Sequence, residues 1–129
     1  MQVIGFNLTK IHGEKLENFS KPNINNNIEF TNIQKEKVEL LKDLEALKIM
    51  FKYSLLYNSP EAEKTKKNEK QGEIFFEGNL ILSVTDEESK QFQKMWKNKK
   101  IPQDSMSSLY TFILKRCSLK ALNIQDDLN

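Results

Sequence analysis

Cysteine and histidine occur once each in this 129-residue chain, as Cys117 and His12. A single thiol excludes a disulfide framework and zinc sites of the Cys-rich kind. A single imidazole leaves no nucleophile–base pair and no metal set to assemble, so the expectation is a protein that is not an enzyme and uses no cofactor. Arginine is equally scarce, with Arg116 alone beside 19 lysines. Arginine is the usual bidentate reader of phosphates and base edges, so its lack speaks against a base-reading domain. Charge of one sign is missing too: 20 basic and 18 acidic side chains leave a net +2, too little for a global field toward nucleic acid or membrane. No apolar run approaches the roughly 18 residues of a membrane span, and the segment from Met1 to Asn7 is too short and interrupted for a signal peptide. With one thiol, these absences predict a cytoplasmic protein with no membrane insertion.

What is present is one domain's worth of chain, 38% hydrophobic and 29% charged, polar but well short of disordered. It divides into a strand-rich part, 1–84, and a helical part, 85–129. Ile4, Phe6 and Leu8 alternate with Gly5, Asn7 and Thr9, the period of a half-buried strand. Lys10 to Asn27 is polar, with Pro22 and a run of three asparagines, and reads as a loop. Ile24, Ile28, Phe30, Asn32 and Ile33 suggest a second extended stretch. Between Lys35 and Leu44 two readings stay open: a helix face of Val38, Leu41 and Leu44, or a strand pair turning near Lys42-Asp43. Leu47, Ile49, Phe51, Tyr53, Leu55 and Tyr57 then form an unbroken alternating face of about 11 residues. Pro60 to Gln71 reads as a solvated hairpin loop. From Gly72 onward Ile74, Phe76, Leu80, Leu82 and Val84 share one face, with Gly78 at a bulge, and this strand pairs antiparallel with the previous one.

The period changes at Thr85. Thr85 and Glu88 have capping-box spacing, Asp86, Glu87 and Glu88 suit the first turn, and Phe92, Met95 and Trp96 lie on one helix face. Ile101-Pro102 ends this helix, and Asp104 or Ser105 caps the next. Met106, Leu109, Tyr110, Ile113 and Cys117, flanked by Phe112 and Leu114, form a stripe wide enough to predict burial on more than one side. Helix continues from Leu119 to Leu128. The fold class expected is α+β: an antiparallel sheet of about four strands packed on two C-terminal helices.

Most polar features have ordinary explanations. His12 reads as a surface residue and Cys117 as a buried structural thiol. Glu73 and Glu77 form the wet side of a strand, and Asp86–Glu88 and Asp126-Asp127 are helix-end charges. Gly72 and Gly78 lack the spacing and the following helix of a phosphate loop. Two features rise above this background. Met50 and Leu56 on one strand, with Phe75 and Ile81 on the next, interrupt the polar face of the sheet; such a face needs a cover, either a second subunit or a bound polypeptide. The alternative site is the patch of Lys94, Trp96, Lys97, Lys99 and Lys100, lysines around one aromatic as in a nucleic-acid contact.

The order of strands, the long hairpin from Phe51-Lys52-Tyr53 to Gly72-Glu73-Ile74-Phe75-Phe76-Glu77-Gly78, and the two closing helices resemble the SecB protein-export chaperone family. Trp96-Lys97, Lys99-Lys100-Ile101-Pro102, Phe112-Ile113-Leu114-Lys115-Arg116-Cys117 and Lys120-Ala121-Leu122 resemble a group of small, SecB-like archaeal proteins. The likeness covers roughly Phe51 to Leu128. It implies a four-stranded sheet with a helical layer and homo-oligomer assembly through dimers, extending to a tetramer. It also implies ATP-independent holding of unfolded polypeptide clients in apolar grooves. That group runs on into a Pro-rich segment, so the likeness further implies a chain truncated at Asn129.

Overall fold

The computed structural model describes residues 1–16, 22–37, 43–58 and 70–128. Four strands come first: β1 (Gln2–Lys15), β2 (Asn23–Glu36), β3 (Leu44–Asn58) and β4 (Lys70–Thr85). Two helices follow, α1 (Asp86–Trp96) and α2 (Gln103–Leu128). The strands form one antiparallel sheet in the order β1-β4-β3-β2. The expected α+β architecture of four strands and two C-terminal helices is what the chain adopts.

Alternation decides which face the helices cover. Leu47, Ile49, Phe51 and Tyr53 on β3 and Ile74, Phe76, Leu80, Leu82 and Val84 on β4 are almost wholly excluded from solvent. Phe92 of α1 and Leu109, Ile113, Cys117 and Ala121 of α2 close over them. Tyr53 and Phe76 stack nearly parallel, with centroids 5.9 Å apart. Burying one such side chain contributes about 1.5–3 kcal/mol, so this single layer dominates the stability of the domain.

β4 lies between β1 and β3, which puts those two strands about 10 Å apart. Even so, Phe6 of β1 stacks on Phe51 of β3 at 5.7 Å. The rings meet because Gly78, opposite both Phe51 and Leu8, has no side chain to intervene. A Cβ on Gly78 would overlap the carbonyl oxygen of Asn7 and come within 3.1 Å of the Leu8 Cα.

Several expectations are corrected. Lys10–Lys15 and Asn23–Asn27, read as loop, are strand: they pair with Glu77–Gly72 and with Asn58–Ser54. Ladder hydrogen bonds hold these edge segments where side-chain pattern is weak. Lys70 and Gln71 likewise belong to β4; the remainder of the expected Pro60–Gln71 loop lies outside the described residues, as do Val38 and Leu41. Asp43, with φ 71°, makes a turn ahead of β3, in keeping with the strand-pair reading of Lys35–Leu44. Gly78 does sit at a bulge, but the extra residue is on the partner strand. The irregularity is on β1, between Leu8 and Lys10, and a second one between Val3 and Gly5 turns Ile4 outward and Val3 inward.

The capping box forms as expected: the Glu88 N–H donates to Thr85 Oγ1 (3.2 Å), and the Thr85 N–H to Glu88 Oε1 (3.0 Å). α1 stops at Trp96, earlier than Ile101-Pro102, because Lys99 takes a left-handed conformation with φ 57°. The Lys100 N–H then donates to the Met95 carbonyl (3.1 Å) and the Lys99 N–H to that of Trp96 (2.8 Å), the pair of bonds of a Schellman stop. α2 is not capped by Asp104 or Ser105, which lie inside its first turn. The Pro102 carbonyl accepts from Ser105 and Met106, at 3.0 and 2.9 Å. Within the single chain α2 buries one main stripe, Tyr110 leans on β2, and Leu114, Leu119 and Leu122 are exposed.

Two outcomes test this account. Gly78→Ala should destabilise the domain by about 2–3 kcal/mol in urea denaturation, because overpacking falls on backbone that has no room to move. The Thr85 backbone N–H holds the Glu88 carboxyl below its ordinary range. Its contribution is therefore present above the unfolded-state carboxylate pKa and is lost as pH falls through the lower, folded value. Thermal denaturation should show that acid-side loss in the native chain and a smaller one in Glu88→Gln.

Candidate functional sites

The two surfaces singled out by sequence lie on opposite sides of the fold. On the open face of the sheet, Met50, Leu56, Phe75 and Ile81 are all half-buried. Register places them as two diagonal pairs. Lys48 is opposite Ile81 and Met50 opposite Asn79, which brings Met50 beside Ile81. Ser54 is opposite Phe75 and Leu56 opposite Glu73, which brings Leu56 beside Phe75. The Lys52–Glu77 row runs between the pairs, so the structure does not merge them into one apolar patch.

Phe75 is heavily dressed. The Lys52 ammonium lies 4.6 Å and that of Lys10 5.3 Å from its ring centroid, and the His12 imidazole stacks on it at 4.8 Å. Beside this cluster, Glu14 and Glu73 are directly opposed across β1 and β4. Like charges so placed repel. Lys70 Nζ separates them, 2.9 Å from Glu14 Oε1 and 2.6 Å from Glu73 Oε2. That ammonium lowers the Glu14 pKa, and the two carboxylates raise that of Lys70.

Next to the second surface, the lysine patch, the structure opens a cleft of about 580 Å³ between the β2 edge and the corner joining α1 to α2. Ile28, Phe30, Trp96, Ile101 and Met106 supply its apolar lining, joined by Glu29, Thr31 and Lys99. Its volume is within the usual range of ligand sites. Tyr110 braces the wall: its hydroxyl donates to the Ile28 carbonyl (2.9 Å) and its ring meets Phe30 edge-on at 5.8 Å. Of the lysine patch, Trp96 and Lys99 border this cleft, with Lys99 Nζ 4.9 Å from the Trp96 ring centroid. Lys94, Lys97 and Lys100 are exposed nearby in sequence but do not line it. Sequence reasoning places Ile28, Phe30 and Met106 in elements without showing that they face Trp96. The bend at Lys99 brings them together, and a lysine in place of glycine gives no signal for it.

Cys117 sits wholly buried on the core stripe of α2. Burial pushes its thiol up to about 12. At neutral pH it is neither nucleophile nor ligand. No helix among the described residues is long and apolar enough to cross a membrane. No protein-family model matches the chain, and no curated protein matches it.

Cys117 should accordingly resist a thiol-reactive dye in native buffer at pH 7 and react fully once the chain is unfolded in guanidinium. Fast labelling of the folded chain would contradict its placement.

Proposed function

We propose that this chain is an ATP-independent holdase or peptide-binding module that holds unfolded or preprotein segments in apolar grooves. The observation that carries the reading is the cleft beside β2. It combines an apolar lining built on rigid elements with an edge strand that has no neighbour on its outer side among the described residues. An extended polypeptide can add backbone hydrogen bonds along such an edge while placing an apolar side chain between Trp96 and Ile101. The open-face pairs Met50/Ile81 and Leu56/Phe75 offer a second, shallower contact for a client or for another copy of the chain. The SecB-like element order supports the same class of function. Outward-facing Leu114, Leu119 and Leu122 support assembly into dimers or tetramers, since apolar helix faces of this kind are ordinarily covered.

The runner-up is an RNA- or ribosome-associated protein using Lys94, Trp96, Lys97, Lys99 and Lys100. The polypeptide reading is preferred because Lys99 already lies over the Trp96 ring and the adjoining cleft is lined mostly by apolar side chains.

Light scattering of a chemically denatured model protein, without ATP, tests the proposal. Stoichiometric amounts of the chain should suppress its aggregation. Trp96→Ala should weaken client binding tenfold or more, in keeping with about 2 kcal/mol for an aromatic anchor. Ile81→Ser should weaken client binding or oligomer assembly, the latter read by multi-angle light scattering. Failure of a folded, assembled chain to suppress aggregation sinks the proposal. RNA binding that falls steeply with salt and is lost on neutralising the lysines would favour the runner-up.

A further inference from the structure

We propose that His12, Glu14 and Glu73 form a binding site for a zinc-class divalent cation, which enters by displacing the Lys70 ammonium. His12 and Glu14 are two residues apart on β1, so both project from the open face of the sheet. Glu73 is the residue directly opposite Glu14 on β4. One imidazole nitrogen and two carboxylates therefore converge from two adjacent strands, and their ligating atoms lie within 4.8 Å of one another. His12 Nε2 is already 3.6 Å from Glu14 Oε2. Donors around a tetrahedral zinc, with bonds of about 2.0–2.2 Å, lie about 3.3–3.5 Å apart, so closing the set takes only small side-chain rotations.

Two further features separate this cluster from a chance group of surface acids. Its centre already holds a cation, for Lys70 Nζ lies between the two carboxylates at 2.9 and 2.6 Å. The imidazole is also oriented, stacked on the Phe75 ring at 4.8 Å with Nε2 turned toward Glu14. An ammonium can only donate hydrogen bonds to these groups, whereas a borderline metal takes imidazole nitrogen and carboxylate oxygen together as ligands. Exchanging the ammonium for a doubly charged ion also balances the two carboxylates. A bound ion would join the β1 edge to β4.

The chain provides its own spectroscopic control. His12 is the only histidine, and Cys117, the only thiol, is buried and protonated. Zinc chloride titrated into the whole chain at pH 7, in a non-coordinating buffer, should give saturable one-to-one heat by calorimetry. It should also shift the single histidine ring resonance in proton NMR. His12→Ala should abolish saturable binding. Glu73→Gln should weaken it about tenfold, and Lys70→Met should tighten it about tenfold, the scale of removing one charge-assisted ligand or one competing cation. The histidine resonance of the native chain serves as the readout should a variant fold poorly. An unmoved resonance at saturating zinc, or one-to-one binding that survives His12→Ala, overturns the proposal.

Discussion

The close approach of β1 to β4 depends on residues that have no side chain, Gly78 above all. Gly78 sits in the middle of the interior strand β4, with the β1 backbone against it on one side and Phe51 of β3 opposite on the other. Its bare backbone lets Phe6 reach across an intervening strand to stack on Phe51. Phe112 of α2 then packs at 5.9 Å against Phe6, and the Arg116 guanidinium covers both rings at 5.2 and 5.9 Å. A side chain at 78 would press β1 away from β4 and disturb the contact that Phe6 makes with Phe112 of α2. The helical layer is thus keyed to the sheet through a gap in it.

That dependence is uneven along the chain. β2 with β3, and β3 with β4, are sequence neighbours, so their pairing joins segments close in the chain. β1 must wait for roughly 70 further residues before it can meet β4, and such closure costs more conformational entropy before any contact offsets it. The aromatic cluster over Gly78 stabilises this longest closure. α1 needs no such help. Thr85 is at once the final residue of β4 and the cap of the helix, so the chain passes from strand to helix with no connecting loop.

Legibility in the sequence follows the same division. β3 and β4 are legible because both are interior strands with a buried face, so alternation is enforced along each of them, from Leu47 to Tyr57 and from Ile74 to Val84. The capping box is legible because it is a local pattern. The outer halves of β1 and β2 are not. Asn25-Asn26-Asn27 pairs with Leu56, Leu55 and Ser54 through backbone groups, and Ile11 and Ile24, on the helix-facing side, remain exposed. Side-chain chemistry there is free to look like loop. The candidate cleft is half legible. Trp96 and Lys99 stand out as a charged aromatic patch, but their apolar partners on β2 and α2 are distant in sequence. They meet only through a left-handed lysine that composition does not flag. The grouping of Glu14, Glu73 and Lys70 is hidden because it spans two strands, one of which has no alternating pattern at that point.

The two outermost strands share a trait that bears on a different problem. β1 carries register breaks beside Ile4 and Thr9, and β2 carries one at Thr31. An outermost strand is a template on which further strands can grow, and a kinked template misaligns the newcomer after a few residues. A chain laid along either margin can form a short ladder but not extend it over the full strand. Fibrillar polymerisation is thereby discouraged at both margins, even though the sheet between them shows apolar side chains on its open side.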